Sequence, residues 1–270
     1  MELSLSARQS SVVVTGGSSG IGLAVSRAFL EQDAMVTNAD VQKSSAAMEL
    51  SARYPQHYQF LETDVTSDVS VGQLAAAVER DFEPARVVVN CAGIIAKCSV
   101  EDMDMNVWDR VYEVNTKGSL RVIKAFIPQL RSHRFGRVIN LSSMTAHIGL
   151  ETYAPYSTSK AAISNLTKVL CAELAEDGIT VNALCPGWVG TPMAEEGLVA
   201  HLARVHDISQ DAARAKVLSF VPQHRFIEPE EIAYAVLFLA NPMAQGISGS
   251  ELNIDCGLTN TFTPGLHRHM

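Results

Sequence analysis

The chain has 270 residues, a length that suits one large α/β domain as well as two small ones, and its 47% hydrophobic and 19% charged fractions exclude disorder for the bulk of it. With 29 acidic residues against 21 Lys plus Arg the formal charge is −8, which argues against nucleic acid or an anionic membrane as the main partner, because both reward a basic surface. Five cysteines without a CxxC pair fit free thiols in a reducing compartment better than a disulfide framework.

At the start, MELSLSARQSSVVVTGG places Glu2 and Arg8 where a signal peptide would need a basic end and then an apolar run, so a cytoplasmic rather than a secreted protein is expected. Short β-branched runs at 11–15, 35–39, 58–63, 86–91, 136–141, 180–185 and 251–254 then alternate with helix-length amphipathic segments. Several are continuous apolar runs, such as VVV at 12–14 and 87–89, as a parallel strand covered on both faces requires. The expected fold is a Rossmann-like, doubly wound, seven-stranded parallel sheet with helices on both faces. No linker, repeat or composition shift divides the chain, so 1–270 is read as a single dinucleotide-binding catalytic domain. Within it, 191–226 has no strand of its own, contains helical pieces near 193–205 and 210–219, and reads as a substrate-loop insertion. The uncharged stretch 232–250 is interrupted by Asn241, Pro242, Gly246 and Gly249, and therefore reads as a core helix and loop rather than a membrane span.

After the first strand comes TGGSSGIG, residues 15–22, leading into a helix. Glycines at 16, 20 and 22 permit positive φ and close backbone approach, and the helix N-terminus favours an anion, so Gly16, Ser18, Ser19, Gly20, Ile21 and Gly22 are candidates for holding a pyrophosphate. Asp40 stands 18 residues beyond Gly22 at the end of the second strand, where a carboxylate can accept from a ribose diol and repel a 2′-phosphate. No Arg or Lys lies in the turn or between Asp40 and Lys43, so NAD is expected over NADP; Asp40 also suits the cap of the next helix.

Tyr156 and Lys160 lie four apart on one face of a long amphipathic helix, and Ser143 precedes Tyr156 by 13 residues at the end of the fifth strand. Lowering a phenol from its usual pKa of ~10 by about 3 units requires roughly 4 kcal/mol of preferential stabilisation of phenolate. A neighbouring ammonium and a cationic nicotinamide supply such stabilisation, and the Ser143 hydroxyl suits a substrate carbonyl or alkoxide.

TGGSSGIG, NCAG at 90–93, VNTKG at 114–118, the Ser143, Tyr156 and Lys160 triplet, and PGWVGTPM at 186–193 stand in the order and spacing of the short-chain dehydrogenase/reductase family, which the chain resembles over nearly its whole length. That resemblance implies Tyr156 as general acid/base, Lys160 as the residue that lowers its pKa and holds the nicotinamide ribose, Ser143 as the polarising hydroxyl and Asn115 as the anchor of a proton relay. It also implies cofactor contacts at Asp64 and Val65 by the adenine, Asn90 and Gly93 by the adenosine ribose and pyrophosphate, and Val189 and Thr191 at the carboxamide. A homotetramer, or a dimer, is the implied assembly. Cys91 departs from the family's usual NNAG, and Cys256 replaces a common glycine.

For the substrate, 191–226 resembles the loop of 3-hydroxybutyrate dehydrogenases, but Ile95, Thr145 and Tyr153 are not the polar set with which those enzymes grip a carboxylate, so a neutral secondary alcohol or ketone is expected. His147, Tyr153, Trp188 and Met193 join Ser143 as pocket candidates. His201, His206 and His224 have no partner at metal-ligand spacing, and no metal is expected. The alternatives are a 3-oxoacyl thioester reductase acting on acyl carrier protein or coenzyme A, which a charge of −8 disfavours, and a catalytically silent cofactor-binding regulator.

Overall fold

The computed structural model describes residues 10–260. Seven strands, β1 (Ser11–Thr15), β2 (Met35–Asp40), β3 (Tyr58–Glu62), β4 (Val87–Asn90), β5 (Gly136–Leu141), β6 (Ile179–Pro186) and β7 (Glu251–Ile254), form one sheet in the order β3-β2-β1-β4-β5-β6-β7. Every pairing is parallel. The fold is the doubly wound, Rossmann-like sheet that the sequence predicts.

Successive side chains of a strand point to opposite faces, and each apolar run divides accordingly between two cores. Val12, Val14, Val87, Val89, Ile139 and Leu141 enter one core, against α1 (Gly20–Leu30), α2 (Ser45–Arg53) and a helix near the C-terminus. Val13, Val88 and Val138 enter the other, against α3 (Asp68–Asp81), with α4 (Met105–Tyr112) leading through one wide turn, Glu113–Gly118, into α5 (Ser119–Ser132), and α6 (Ala154–Leu174). Each fully buried Val, Leu, Ile or Phe contributes about 1.5–3 kcal/mol of transfer free energy, so the sheet is the stable frame on which the loops stand.

Beyond β6, the stretch expected to be an insertion folds as α7 (Pro192–Ala194), a wide turn Glu195–Val199, α8 (Ala200–His206) and α9 (Gln210–Ser219). Leu198, Val199, Leu202, Ala203, Ala213, Val217 and Phe226 form a small core there, with Trp188 packed on it. The chain returns to the sheet through α10 (Pro229–Ala240), which starts with proline and a Glu228/Glu231 capping box. Among the described residues no helix is long and apolar enough to cross a membrane.

Candidate active site

Strand order reverses between β1 and β4, and the C-terminal ends of the strands open there into a cleft, as in other open α/β sheets. Gly16, Ser19, Gly20, Ile21, Gly22, Asp40, Asp64, Val65, Gly93 and Thr191 line it. Gly16 has φ +66, and a Cβ there would lie 2.8 Å from Ala92 N; a Cβ on Gly22 would lie 2.2 Å from Gly16 O. Only glycine lets the turn close this tightly. α1 begins at Gly20 with no side-chain cap and no acidic residue in its first turn, so its free N–H groups face the cleft as anion donors. A cradle that side chains would fill, ahead of an uncapped helix, fits a dinucleotide pyrophosphate.

Asp40 accepts from Ser18 N at 3.0 Å and Gln42 N at 3.4 Å, which fixes its carboxylate at the cleft wall. Asp64 is held well below the usual carboxylate range by hydrogen bonds from the Thr66 side chain and backbone. Ser18 and Asn90 are placed otherwise than expected. Ser18 Oγ accepts from Asn38 Nδ2 at 3.0 Å behind the turn, and Asn90 donates to Asn140 Oδ1 at 2.9 Å between β4 and β5, so neither side chain lines the cleft. Asn38, which the sequence does not single out, also donates to Tyr58 Oη at 2.8 Å and sits against Gly17. Arg110 of α4 is a second residue missed, and it brings a cation to a cleft whose glycine turn has none.

A second cavity of about 130 Å³ shares Ile21, Cys91, Gly93, Thr191 and Met193 with the first, so what binds along the cleft reaches into it. Ser143, Tyr153, Tyr156, Lys160, Trp188 and Val189 line this cavity. Tyr156 and Lys160 stand one turn apart on α6. Lys160 Nζ lies 5.6 Å from the centre of the Tyr156 ring and donates to Leu141 O at 2.7 Å. Burial pushes the Tyr156 hydroxyl up, and its hydrogen bond with Ser143 pulls the other way. Burial also depresses the Lys160 ammonium to about 8. Ser143 Oγ accepts from Thr145 N at 3.2 Å and Thr145 Oγ1 at 3.1 Å, which directs the hydroxyl into the cavity.

Asn115 stands in the wide turn before α5 and lines neither cavity. Its side chain accepts from Ile94 N at 2.8 Å and donates to Ile94 O and Ser159 Oγ, both at 3.0 Å, tying the irregular segment after β4 to α6. Cys91 is a packing thiol, pushed up by burial to about 12.

His147 is a correction to the expected pocket. It does not line the cavity; its Nε2 lies 3.1 Å from Glu251 Oε2 and 3.4 Å from Cys185 Sγ, drawn there by a carboxylate on the edge strand. The ligand atoms of His147, Cys185 and Glu251 lie within 4.8 Å of one another, a grouping no sequence spacing indicated. Lys168 pairs with the same carboxylate, so we read the group as an ion-pair network.

A half-buried phenol beside a buried hydroxyl and ammonium, at the end of a dinucleotide-shaped cleft, defines an oxidoreductase site. The profile described as enoyl-(acyl carrier protein) reductase matches residues 16–259. Relatives include a D-beta-hydroxybutyrate dehydrogenase of Rhizobium meliloti (strain 1021), 31% identical over 92% of this chain and 97% of the relative. A 3-oxoacyl-[acyl-carrier-protein] reductase of Thermotoga maritima is 31% identical over 91% of this chain and 96% of its own. A solved variant of actinorhodin polyketide ketoreductase with NADPH superposes with a TM-score of 0.87 at 31% identity, covering 94% of this chain and 98% of that one. The chain belongs to the short-chain dehydrogenase/reductase family and is an oxidoreductase of alcohols and ketones.

Proposed function

We propose that this enzyme interconverts a secondary alcohol and a ketone with NAD in preference to NADP, Tyr156 serving as general acid/base. The observation that carries this reading is the convergence of Tyr156, Ser143 and Lys160 on a cavity that shares a wall with the dinucleotide cleft. The nicotinamide cofactor supplies or accepts the hydride. Gly16 to Gly22 and the start of α1 would hold its pyrophosphate, Asp40 its adenosine ribose, Asp64 and Val65 its adenine, and Val189 and Thr191 its carboxamide end. Tyr156 moves the proton at the substrate oxygen, Ser143 donates to that oxygen, and the nearby Lys160 ammonium favours phenolate. Asn115 acts by positioning Ile94 and α6, its side-chain amide bonding Ile94 N and Ser159 Oγ from the wide turn.

The carboxylate of Asp40 supports NAD, since a phosphate beside it meets like charge. Asp40→Ser is expected to narrow the ratio of kcat/KM for NAD over NADP by about tenfold, equivalent to removing ~1.4 kcal/mol of repulsion. An unchanged ratio in that variant would show that Asp40 does not read the ribose.

We read the chain as a single catalytic domain with 191–226 as its substrate loop, in a cytoplasmic enzyme, a location that its five free cysteines support. Tyr234 and Phe238 on α10 and Leu252 on the edge strand are exposed apolar side chains, and they support a homotetramer in which a second copy covers this face. Light scattering across a dilution series is expected to give four chains; a monomer at every concentration would overturn the assembly. Reduction of a 3-oxoacyl thioester is the second reading, favoured by the Thermotoga relative's name.

A further inference from the structure

Lys97 follows Gly93 by four in the irregular chain after β4, and the neighbouring Cys98 N donates to Thr152 O at 2.9 Å, which fixes the local backbone before α6. The Lys97 ammonium donates to Gly197 O at 2.8 Å and lies 4.7 Å from the centre of the Tyr153 ring. The Tyr153 ring in turn stands edge-on to Tyr156, 6.5 Å between centres. Gly197, Tyr153 and Tyr156 all line the substrate cavity and Lys97 does not, so the cation stands behind that wall, one ring beyond the acid/base phenol. Among the described residues no carboxylate pairs with Lys97. An ammonium has three donors, and one is spent on Gly197. Burial depresses Lys97 to about 8, and its charge adds to the burial that depresses His201 on α8.

Two donors of the wall itself lack acceptors. Tyr153 Oη and Trp188 Nε1 are buried without a partner, an arrangement that costs free energy until an acceptor arrives. No Asp or Glu among the described residues lines the cavity. A pocket with surplus donors complements a group that only accepts. We propose that Tyr153 and Trp188 receive the carboxylate of a compact oxo or hydroxy acid while the acid's carbonyl or carbinol carbon faces Tyr156 and Ser143, and that Lys97, behind the Tyr153 ring, is a specificity-determining residue that supplies the compensating charge. This deepens the alcohol–ketone reading and rests on it, and it replaces the neutral substrate expected from Ile95, Thr145 and Tyr153.

The test compares short oxo acids with methyl ketones of equal chain length, using the full-length enzyme. Wild type is expected to favour the acids, and Lys97→Met to lower the acid-to-ketone ratio of kcat/KM by about tenfold or more, chiefly through KM, with Lys97→Arg restoring most of it. If Lys97 serves only to tie the segment to Gly197, both substrates suffer alike and the ratio stays, which overturns the proposal. A wild-type preference for neutral ketones, or for the coenzyme A thioester over the free acid, overturns it as well. Propionate, compared with propanamide, gives a readout independent of turnover: it is expected to raise the Tm of wild type and not of Lys97→Met, and equal effects of the two compounds on wild type would defeat the assignment. Should Lys97→Met fail to fold, Tyr153→Phe, which keeps the ring under the ammonium and removes its hydroxyl, is expected to weaken the propionate shift. Failure of wild type to turn over either member of any pair, with the propionate shift intact, would count against the alcohol–ketone reading and leave Lys97 standing.

Discussion

Replacing Tyr156 with phenylalanine is expected to lower kcat by about 10²–10⁴-fold, the range for losing a positioned acid/base group, which corresponds to roughly 3–5 kcal/mol at ~1.36 kcal/mol per tenfold. The ring stays, so its packing in the apolar cluster with Met144, Leu150, Tyr153 and Val221 is kept and the fold is expected to remain intact. Dinucleotide affinity should move little, because the glycine turn, Asp40 and Asp64 lie at the other end of the cleft. Titration of cofactor fluorescence against initial rates separates the two effects. A variant with wild-type turnover would remove Tyr156 from the chemistry, and equal loss of binding and turnover would make it a structural residue.

The second large effect is expected at Gly22. An alanine Cβ would stand 2.2 Å from Gly16 O and 2.8 Å from Gly16 C, and both atoms belong to backbone that cannot swing aside. Relief requires the turn to open and α1 to lift from β1, which displaces the N–H groups aimed at the pyrophosphate. Overpacking of this kind costs about 1–3 kcal/mol, and at roughly 2–4 °C per kcal/mol for a chain of this size Tm should fall by about 2–12 °C. Cofactor affinity should fall by about tenfold or more, since each ~1.4 kcal/mol of lost donor geometry is a factor of ten. Gly72, inside α3 with nothing within 4 Å of its would-be Cβ, is the control: Gly72→Ala should stabilise by up to about 1 kcal/mol through helix propensity alone. Equal thermal shifts in the two variants would show that the Gly22 contact does not decide the turn.

The strands were legible because their signal is local. VVV at 12–14 feeds two cores, and no other element type wants an unbroken β-branched run of that length between a polar start and a glycine turn. Tyr156, Lys160 and Ser143 were legible through helical spacing and a strand end, both short-range features. His147 was misplaced because its partners, Cys185 and Glu251, come from two later strands that a local pattern cannot bring together. Lys97 escaped notice for a related reason: it lies in an irregular segment with no periodicity, and Gly197, which fixes its ammonium, is 100 residues away. The wide turns at Glu113–Gly118 and Glu195–Val199 left no trace either, since one extra backbone residue in a helical turn alters spacing but not composition. Arg110 carried no local signal either, because it completes the cleft from α4, far along the chain from the glycine turn.

The small core of the stretch after β6 has a consequence for how such an enzyme diversifies. Leu198, Leu202, Val217 and Phe226 are satisfied among themselves, so replacements on the inward side of Met193, Ala194 or Gly197 need not be answered by changes in the sheet. Descendants of one ancestor could exchange this stretch as a cassette, trading one substrate for another while the glycine turn and the tyrosine–lysine pair are inherited unaltered.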